Sequence, residues 1–502
     1  MRKHTLLRFK MFYLMLLLFV FAIDLVLKSN RNTSSSQTDS KGGTLELNVN
    51  TTEPLKIRGT EMVTTDGEPV RFWGVNISSV YPTHEQAEHL AANLASLGFN
   101  VVRHHHTLRN SLDWNPVSLI GSLASYNGNT RDPNNEAWDR FDYFNARLRN
   151  QGIYIVLTLE GTRRYLPGDA DILQTNERDR SEWMEAIAAL NKAPNNRDLF
   201  KILPMIDERA ALLMEEFARQ LLTHVNPYTG IAYGEGSQVL YLETMNEVSS
   251  EYAIIAGNTF ENAAHPEIAY WKTILNNKWA DYTAAQGIAP CEFFNPSTTQ
   301  QKLARGEFLR ELDRSFYNRM KNVVRDLNVK NPMIFSNLWR GEDFQEMQHD
   351  ISDLIEDHQY TNPLVVNDFD DLFNNMTLST PNDKPYFIGE INQKEGEANL
   401  STNAPYRTML LLAASAYGSF SSWSGITWYA WAHGERMFGK DGWSVKEERQ
   451  PSVLSDMVGN MQSDGMVIDH LRTAGMLFKK KLVSSSANPL TLYVDVPTGA
   501  TS

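Results

Sequence analysis

From about Leu45 onward the chain repeats one unit: a short unbroken apolar run, then a stretch whose apolar residues recur at three- and four-residue steps. Unbroken runs are what strands look like when both faces are covered, the condition of a parallel sheet flanked by helices. The runs are PVRFWGVN (Pro69–Asn76), FNVVR (Phe99–Arg103), IYIVLTL (Ile153–Leu159), Val239–Met245, PMIFS (Pro332–Ser336), the stretch reaching DHQY (Asp357–Tyr360), Tyr386–Gly389 and ITWYAWA (Ile426–Ala432). Asp66-Gly67 signals a hairpin turn before the first run. Thr83 and Gln86 have the spacing of a capping box for a helix that stops at Gly98. Trp138, Phe141, Phe144 and Leu148 mark a helix closed by Gly152, and further helices are expected at Arg209–His224 and around Arg407–Tyr417. Eight such units in about 400 residues predict an α/β fold, a (β/α)8 TIM barrel with long βα loops. A doubly wound open sheet is the alternative, but no GxGxxG follows any run.

A chain of 502 residues with 42% apolar content can bury a large core. Arg2, Lys3, Arg8, Lys10, Lys28 and Arg31 against Asp24 give the first 31 residues a net +5, and removing that from the total of −13 leaves −18 on the rest. An acidic body of that size disfavours nucleic acid, whose backbone is gripped by clustered Lys and Arg, and fits a neutral substrate better. Cys291 is the only cysteine, which excludes an intrachain disulfide and any cysteine-built metal or iron–sulfur site. It is expected to be a small apolar core residue.

The apolar run Met11–Leu27, broken only by Asp24 and preceded by basic residues, reads as a signal peptide or an uncleaved membrane anchor over residues 1–28. Its positive flank is expected to stay cytoplasmic and the body to be exported. Residues 29–44 read as a flexible linker and 45–480 as the barrel. The last stretch, 481–502, contains the alternating LTLYVDV (Leu490–Val496) and reads as a C-terminal β segment, either joining a small sheet or beginning a β-domain.

Two of the runs lead into glutamates, Glu247 and Glu390, 143 positions apart. The C-terminal ends of barrel strands are where such folds keep their chemistry, and an ionisable side chain ending an apolar strand is costly unless something needs it. Asn-Glu also occurs at Asn135-Glu136 and Asn176-Glu177, but in polar sequence that reads as solvated surface. Arg103 and Tyr360, at the ends of two other strands, are the expected hydrogen-bond partners of Glu390; a purely structural ion pair is the competing reading for Arg103. The run His104-His105-His106 cannot chelate one ion, because neighbouring strand residues point to opposite faces; His105, sharing a face with Arg103, is expected at the barrel mouth. Trp73, Trp339, Trp428 and Trp431 lie on or just after strand ends, where a ring can stack on a sugar or pack in the core, with Trp428 the preferred sugar platform. Trp423 is assigned to packing.

In order along the chain, DGEPVRFWGVN (Asp66–Asn76), GFNVVRHHH (Gly98–His106), HVNPYTGIAY (His224–Tyr233), Asn246-Glu247, DHQY, FIGE (Phe387–Glu390) and WSGITWYAWAHGE (Trp423–Glu435) resemble glycoside hydrolase family 5, the cellulase-like group of clan A barrel enzymes. The resemblance spans about Leu45 to Lys480. It implies Glu247 as acid/base, Glu390 as nucleophile, Asn246 as a contact to the sugar 2-hydroxyl, Arg103, His358 and Tyr360 as supporting partners, and Trp428 as the strand-eight aromatic platform. Two departures leave the substrate open: Met245 stands where relatives often carry a polar residue, and Glu160 where many carry a histidine. The expected activity is a retaining, cellulase-like hydrolysis of a neutral β-linked glycan with no metal and no cofactor, two carboxyls ~5–5.5 Å apart working by double displacement. The charge of Glu390 is expected to keep Glu247 protonated. A β-mannanase, an exo-β-glycosidase, a transglycosylase and a glycan-binding protein that has lost catalysis are the alternatives. The stretches Gly161–Pro204 and Val248–Pro332 exceed a minimal barrel and are expected to wall the cleft.

Overall fold

Eight parallel strands form one sheet whose order follows the chain around a ring. They are β1 (Phe72–Ser78), β2 (Val101–His105), β3 (Tyr154–Thr158), β4 (Val239–Glu243), β5 (Met333–Ile334), β6 (Ile355–Thr361), β7 (Tyr386–Gln393) and β8 (Gly425–His433). The hydrogen-bonded order is β5-β4-β3-β2-β1-β8-β7-β6, so the barrel is continuous except between β5 and β6. That seam is crossed by other bonds: Asp353 N donates to Met333 O at 2.9 Å, Met333 N to Asp353 Oδ2 at 2.9 Å and Phe335 N to Ser352 Oγ at 3.1 Å. The fold is the (β/α)8 barrel that the alternating pattern predicts. The computed structural model describes residues 52–78, 80–109, 121–160, 162–192, 197–256, 266–337, 342–361, 380–393, 404–433 and 465–487, with 373, 376, 379 and 461. The N-terminal apolar run, the linker, Trp339 and Leu490–Val496 lie outside these residues. Among the described residues no helix is long and apolar enough to cross a membrane.

Among the described residues ten α-helices flank the strands: α1 (His84–Ser96), α2 (Asn135–Asn150), α3 (Glu177–Leu190), α4 (Arg197–Ile206), α5 (Glu208–Thr223), α6 (Pro266–Ala285), α7 (Thr299–Asp326), α8 (Glu342–Ile351), α9 (Ala404–Phe420) and α10 (Gly465–Lys479). Their starts follow local chemistry. Thr83 and Gln86 make the reciprocal capping box expected for α1, and Thr298 and Gln301 make another on α7; each cap is worth about 1 kcal/mol. Asn134, Asn176 and Asp207 cap α2, α3 and α5. Gly98 and Gly152, both at positive φ, follow the ends of α1 and α2. Asn135, Glu136, Asn176 and Glu177 are exposed at helix starts. The long excursions after β3 and β4 contain α3–α5 and α6–α7, so they are folded helical insertions. Cys291 is partly exposed between α6 and α7 rather than in the core.

Strand limits differ from the sequence pattern in three places. The run Pro69–Asn76 is two elements: Pro69-Val70 pairs with Glu61–Val63 in a small antiparallel sheet turned at Gly67, and β1 begins at Phe72. Arg71 breaks them apart, its guanidinium donating to Ser419 Oγ and Phe478 O. The fourth strand ends at Glu243, so Asn246 and Glu247 lie in the loop beyond it. The seventh runs to Gln393 and carries Glu390 within its length.

The barrel interior is layered. Phe72, Tyr154, Tyr241 and Phe387 form an aromatic floor, with ring centroids 5.2–5.9 Å apart, that Met62 of the small sheet joins. Each such buried side chain contributes about 1.5–3 kcal/mol. Above the floor come buried charged groups, and above those the mouth.

Candidate active site

Strand period places the functional side chains. In β2, Arg103 and His105 point inward while His104 points out, its Nε2 2.7 Å from Asn145 Oδ1 and its ring against Phe141 and Phe144. In β6, Glu356, His358 and Tyr360 share the inward face by the same rule. Register aligns His358 with Glu390 of β7. Gly389 is glycine because Glu356 passes against it: a β-carbon there would stand 1.7 Å from Glu356 Oε1.

Arg103 is fully buried and organises the charged layer. Its Nη1 donates to Asn76 Oδ1 and Glu390 Oε1, both at 2.8 Å; its Nη2 donates to Glu243 Oε1 at 2.7 Å, to Glu243 Oε2 at 2.9 Å and to Asn246 Oδ1 at 2.7 Å. Nε is 3.4 Å from Glu356 Oε1. Burial alone would lower its pKa, but Glu243, Glu356 and Glu390 raise it well above the usual arginine value. A planar, permanently charged fork suits this many acceptors, and lysine could not replace it.

His358 joins both glutamates. Nδ1 is 2.8 Å from Glu247 Oε1 and 3.6 Å from Glu390 Oε2, and Nε2 is 3.3 Å from Glu356 Oε1. Burial pushes its pKa down, but the charges of Glu390 and Glu247 and the bonds to Glu247 and Glu356 carry it up to about 10. It is therefore an imidazolium at neutral pH, donating from both nitrogens. Ligand-type oxygens of Glu247 and Glu390 and a His358 nitrogen lie within 4.8 Å of one another, as do those of Glu243, Glu356 and His358. Arg103 and His358 bring positive charge to both groups, and the contacts within them are those of ion-pair networks.

Glu390 is 3% exposed. It accepts from Arg103 and, at Oε2, from the Tyr360 hydroxyl, and His105 Nε2 is 3.6 Å from Oε1. Burial raises its pKa, the charge of Glu247 adds to that, and His358, Arg103 and the Tyr360 bond pull it back. His105 is held neutral: burial lowers its pKa well below the usual value, and Arg103, His358, Lys201 and Arg109 lower it further. Glu247 is more open, with 30% of its side chain exposed, and φ of 49° puts it in the left-handed region. Such a conformation costs about 1–3 kcal/mol in a non-glycine residue and collects at functional sites. A mouth with one sealed and one open carboxylate suits a buried nucleophile facing a solvent-reachable proton donor.

The structure thus brings Glu247, Glu390, Asn246, Arg103, His105, His358 and Tyr360 together. Trp428 stands apart and corrects the sequence expectation. It is 1% exposed and its ring packs edge-on to Trp73 at 5.5 Å, on the helix-facing side where Trp73 also meets Phe99 and Phe478. Period two is the reason: Gly425, Thr427 and Tyr429 take the inward phase of β8, and Trp428 takes the other. The aromatic at the mouth is Tyr429, with centroids 5.9 Å from His105 and 6.3 Å from Tyr360. Trp73, Trp423 and Trp431 are fully buried as well.

Four further residues complete the layer and are absent from the sequence reading. Glu243 bonds Arg103 and accepts from Thr158 Oγ1 at 2.5 Å; burial and the charge of Glu356 raise its pKa, against Arg103, to about 7. Glu356 would also be raised by burial, but Arg103 and His358 bring it below the ordinary value. Asn76 and Asn337 fill the gaps. Asn337 donates to Glu243 and to Glu356 Oε1 (3.1 Å), and accepts from Glu247 N at 2.8 Å. Phase would have found Glu356, which is two residues before His358 in DHQY's own strand.

No protein-family profile matches the sequence, and no curated protein matches it. Solved structures do share its fold. A glycoside hydrolase family 5 mannosidase from Rhizomucor miehei, in a variant form, aligns at TM-score 0.50 and 13% identity over 86% of this chain and 99% of that one. Another variant of that mannosidase, in complex with mannosyl-fructose, aligns at TM-score 0.50 and 12% identity over 86% and 99%. An endo-β-1,4-mannanase from Thermotoga petrophila aligns at TM-score 0.47 and 14% identity over 82% and 78%.

Proposed function

We propose that this protein is a retaining β-glycoside hydrolase with Glu390 as nucleophile and Glu247 as acid/base. The observation that carries it is the approach of the two carboxylates to within 4.8 Å at one barrel mouth, linked by His358. Retaining enzymes hold their carboxyls ~5–5.5 Å apart, and inverting enzymes leave room for a water at ~6.5–9.5 Å. Arg103 and Tyr360 donate to Glu390, and with the charge of His358 they favour its ionised form against burial. The repulsion between the two carboxylates is mutual, so an ionised Glu390 favours a proton on Glu247.

In the first step Glu390 attacks the anomeric carbon while Glu247 delivers its proton to the departing oxygen. The glycosyl ester removes the charge on Glu390, the repulsion ends, and Glu247 can take a proton from the water that resolves the ester. Asn246, whose Oδ1 is engaged by Arg103, is left with an amide that makes no hydrogen bond among the described residues and suits a sugar hydroxyl. Tyr429 replaces Trp428 as the proposed aromatic contact. The residues in hand carry out this chemistry without a cofactor.

The proposed substrate is a neutral β-linked glycan. The mannosidase likeness sets a β-mannan beside the β-glucan that the sequence resemblance suggests. The basic-flanked run Met11–Leu27 supports export of the protein, cleaved or membrane-tethered. Activity against soluble β-glucans, mannans and xylans with product sizing tests the substrate. Glu390→Gln is expected to abolish turnover, and Glu247→Ala to retain it on substrates with good leaving groups; near-normal hydrolysis by Glu390→Gln would overturn the assignment.

A further inference from the structure

The peptide unit joining Asn246 to Glu247 is held at both ends by side chains from outside its own strand. Its carbonyl, Asn246 O, accepts from Lys201 Nζ at 2.7 Å, and its N–H, on Glu247, donates to Asn337 Oδ1 at 2.8 Å. Ladder bonding has ended by this point: Thr244 N and Met245 N still donate to Ile334 O and Phe335 O, and the next two residues have left the sheet. Immediately after the clamped peptide, Glu247 takes its left-handed φ. A non-glycine residue persists there only where its surroundings over-determine it.

Lys201 comes from α4, is 2% exposed, and has the Asn246 carbonyl as its one hydrogen bond among the described residues. Among the described residues no carboxylate pairs with it, and burying an unpaired ammonium is expensive, so its retention needs a reason beyond packing. Asn337 has an amide orientation dictated by chemistry. Its Nδ2 faces Glu243 and Glu356, and Glu356, held ionised by Arg103 and His358, only accepts, which leaves Oδ1 for the Glu247 N–H. One amide therefore ties the buried carboxylates under Arg103 to the backbone of Glu247.

We propose that Lys201 and Asn337 are positioning residues that together set the orientation of Glu247 as proton donor; this rests on the glycosidase reading above. Neither touches the reacting atoms. They act by fixing the plane of the peptide from which the Glu247 side chain departs. A misplacement of about 1 Å in such a group costs on the order of 10²-fold in rate.

The test uses Lys201→Met in the full chain, with Asn337 left in place because it also holds Glu243 and Glu356, assayed with wild type on aryl β-mannosides and β-glucosides of graded leaving-group acidity. If the clamp serves proton donation, kcat/KM on the poorest leaving group falls about 30-fold or more, while the most acidic phenol, which needs no proton, stays within about threefold of wild type. Uniform loss across the series, or no loss, would overturn the proposal. Lys201→Gln replaces the methionine variant should that fail to fold, and is held to the same result. A wild type inactive on every aryl glycoside would sink the glycosidase reading and this inference with it, an outcome distinct from an active wild type with unchanged variants.

Discussion

Glu356 occupies the space that a side chain at Gly389 would need, its Oε1 standing 1.7 Å from where a β-carbon would be. The carboxylate cannot swing aside cheaply, because Arg103, His358, Asn337 and Tyr241 hold it. Gly389→Ala therefore has to break a buried network beside Glu390. The expected result is a loss of about 3–5 kcal/mol in denaturant unfolding, the range for stripping a partner from a buried ion pair. Hydrolysis should fall about 10²-fold or more.

Trp428 and Tyr429 are neighbours with opposite expected phenotypes. Trp428→Phe trims a ring that packs on Trp73 and should cost about 1–3 kcal/mol of stability with KM within about threefold of wild type. Tyr429→Ala removes the aromatic that faces His105 and should raise KM about tenfold or more. Thermal melts and steady-state kinetics on the pair decide which ring meets the sugar.

His358 gives stability a pH signature. Its pKa rises from 6.5 to about 10 on folding, so the folded chain holds a proton that the unfolded chain has released across that interval. Stability from this group is complete below about 6.5 and is lost as pH rises toward 10, with a slope of up to about 1.4 kcal/mol per pH unit. Unfolding measured between pH 7 and 10 should show a flatter decline for His358→Gln than for wild type.

The carboxylate pair gives activity a second signature. Burial raises Glu390, so the acid limb of kcat/KM, which belongs to the coupled pair, should lie above the ordinary glutamate range. Glu247 is still protonated and uncharged across that limb, so Glu247→Gln on an activated aryl glycoside should leave the acid limb in place and remove the basic limb. A basic limb that survives the substitution would show that Glu247 is not the proton donor.

The strand alternation was legible because each barrel strand is buried on both faces, and the capping box of α1 because Thr83 and Gln86 speak through local spacing. Glu247 and Glu390 stood out as charges beside apolar runs. What stayed hidden depended on phase or on distance along the chain. Glu243 reads as the interior of a longer strand until the ladder is seen to end there. Trp428 was assigned by residue type, yet a shift of one position decides between mouth and helix layer. Asn337 follows a strand of two residues, and Lys201 belongs to a helix in an insertion, so neither carries a local mark of its contact with the Asn246–Glu247 peptide.

Of the two glutamates, one follows β4 and the other belongs to β7, on opposite flanks of the gap in the ladder between β5 and β6. The backbone path from one to the other through shared strand pairing runs the long way round the ring, and the short way relies on Asp353, Ser352 and Asn337. The two flanks are thus held together by a few polar side chains and one backbone bond in place of a ladder, so substitution of Asp353 or Ser352 is expected to shift one flank against the other with both carboxylates left untouched.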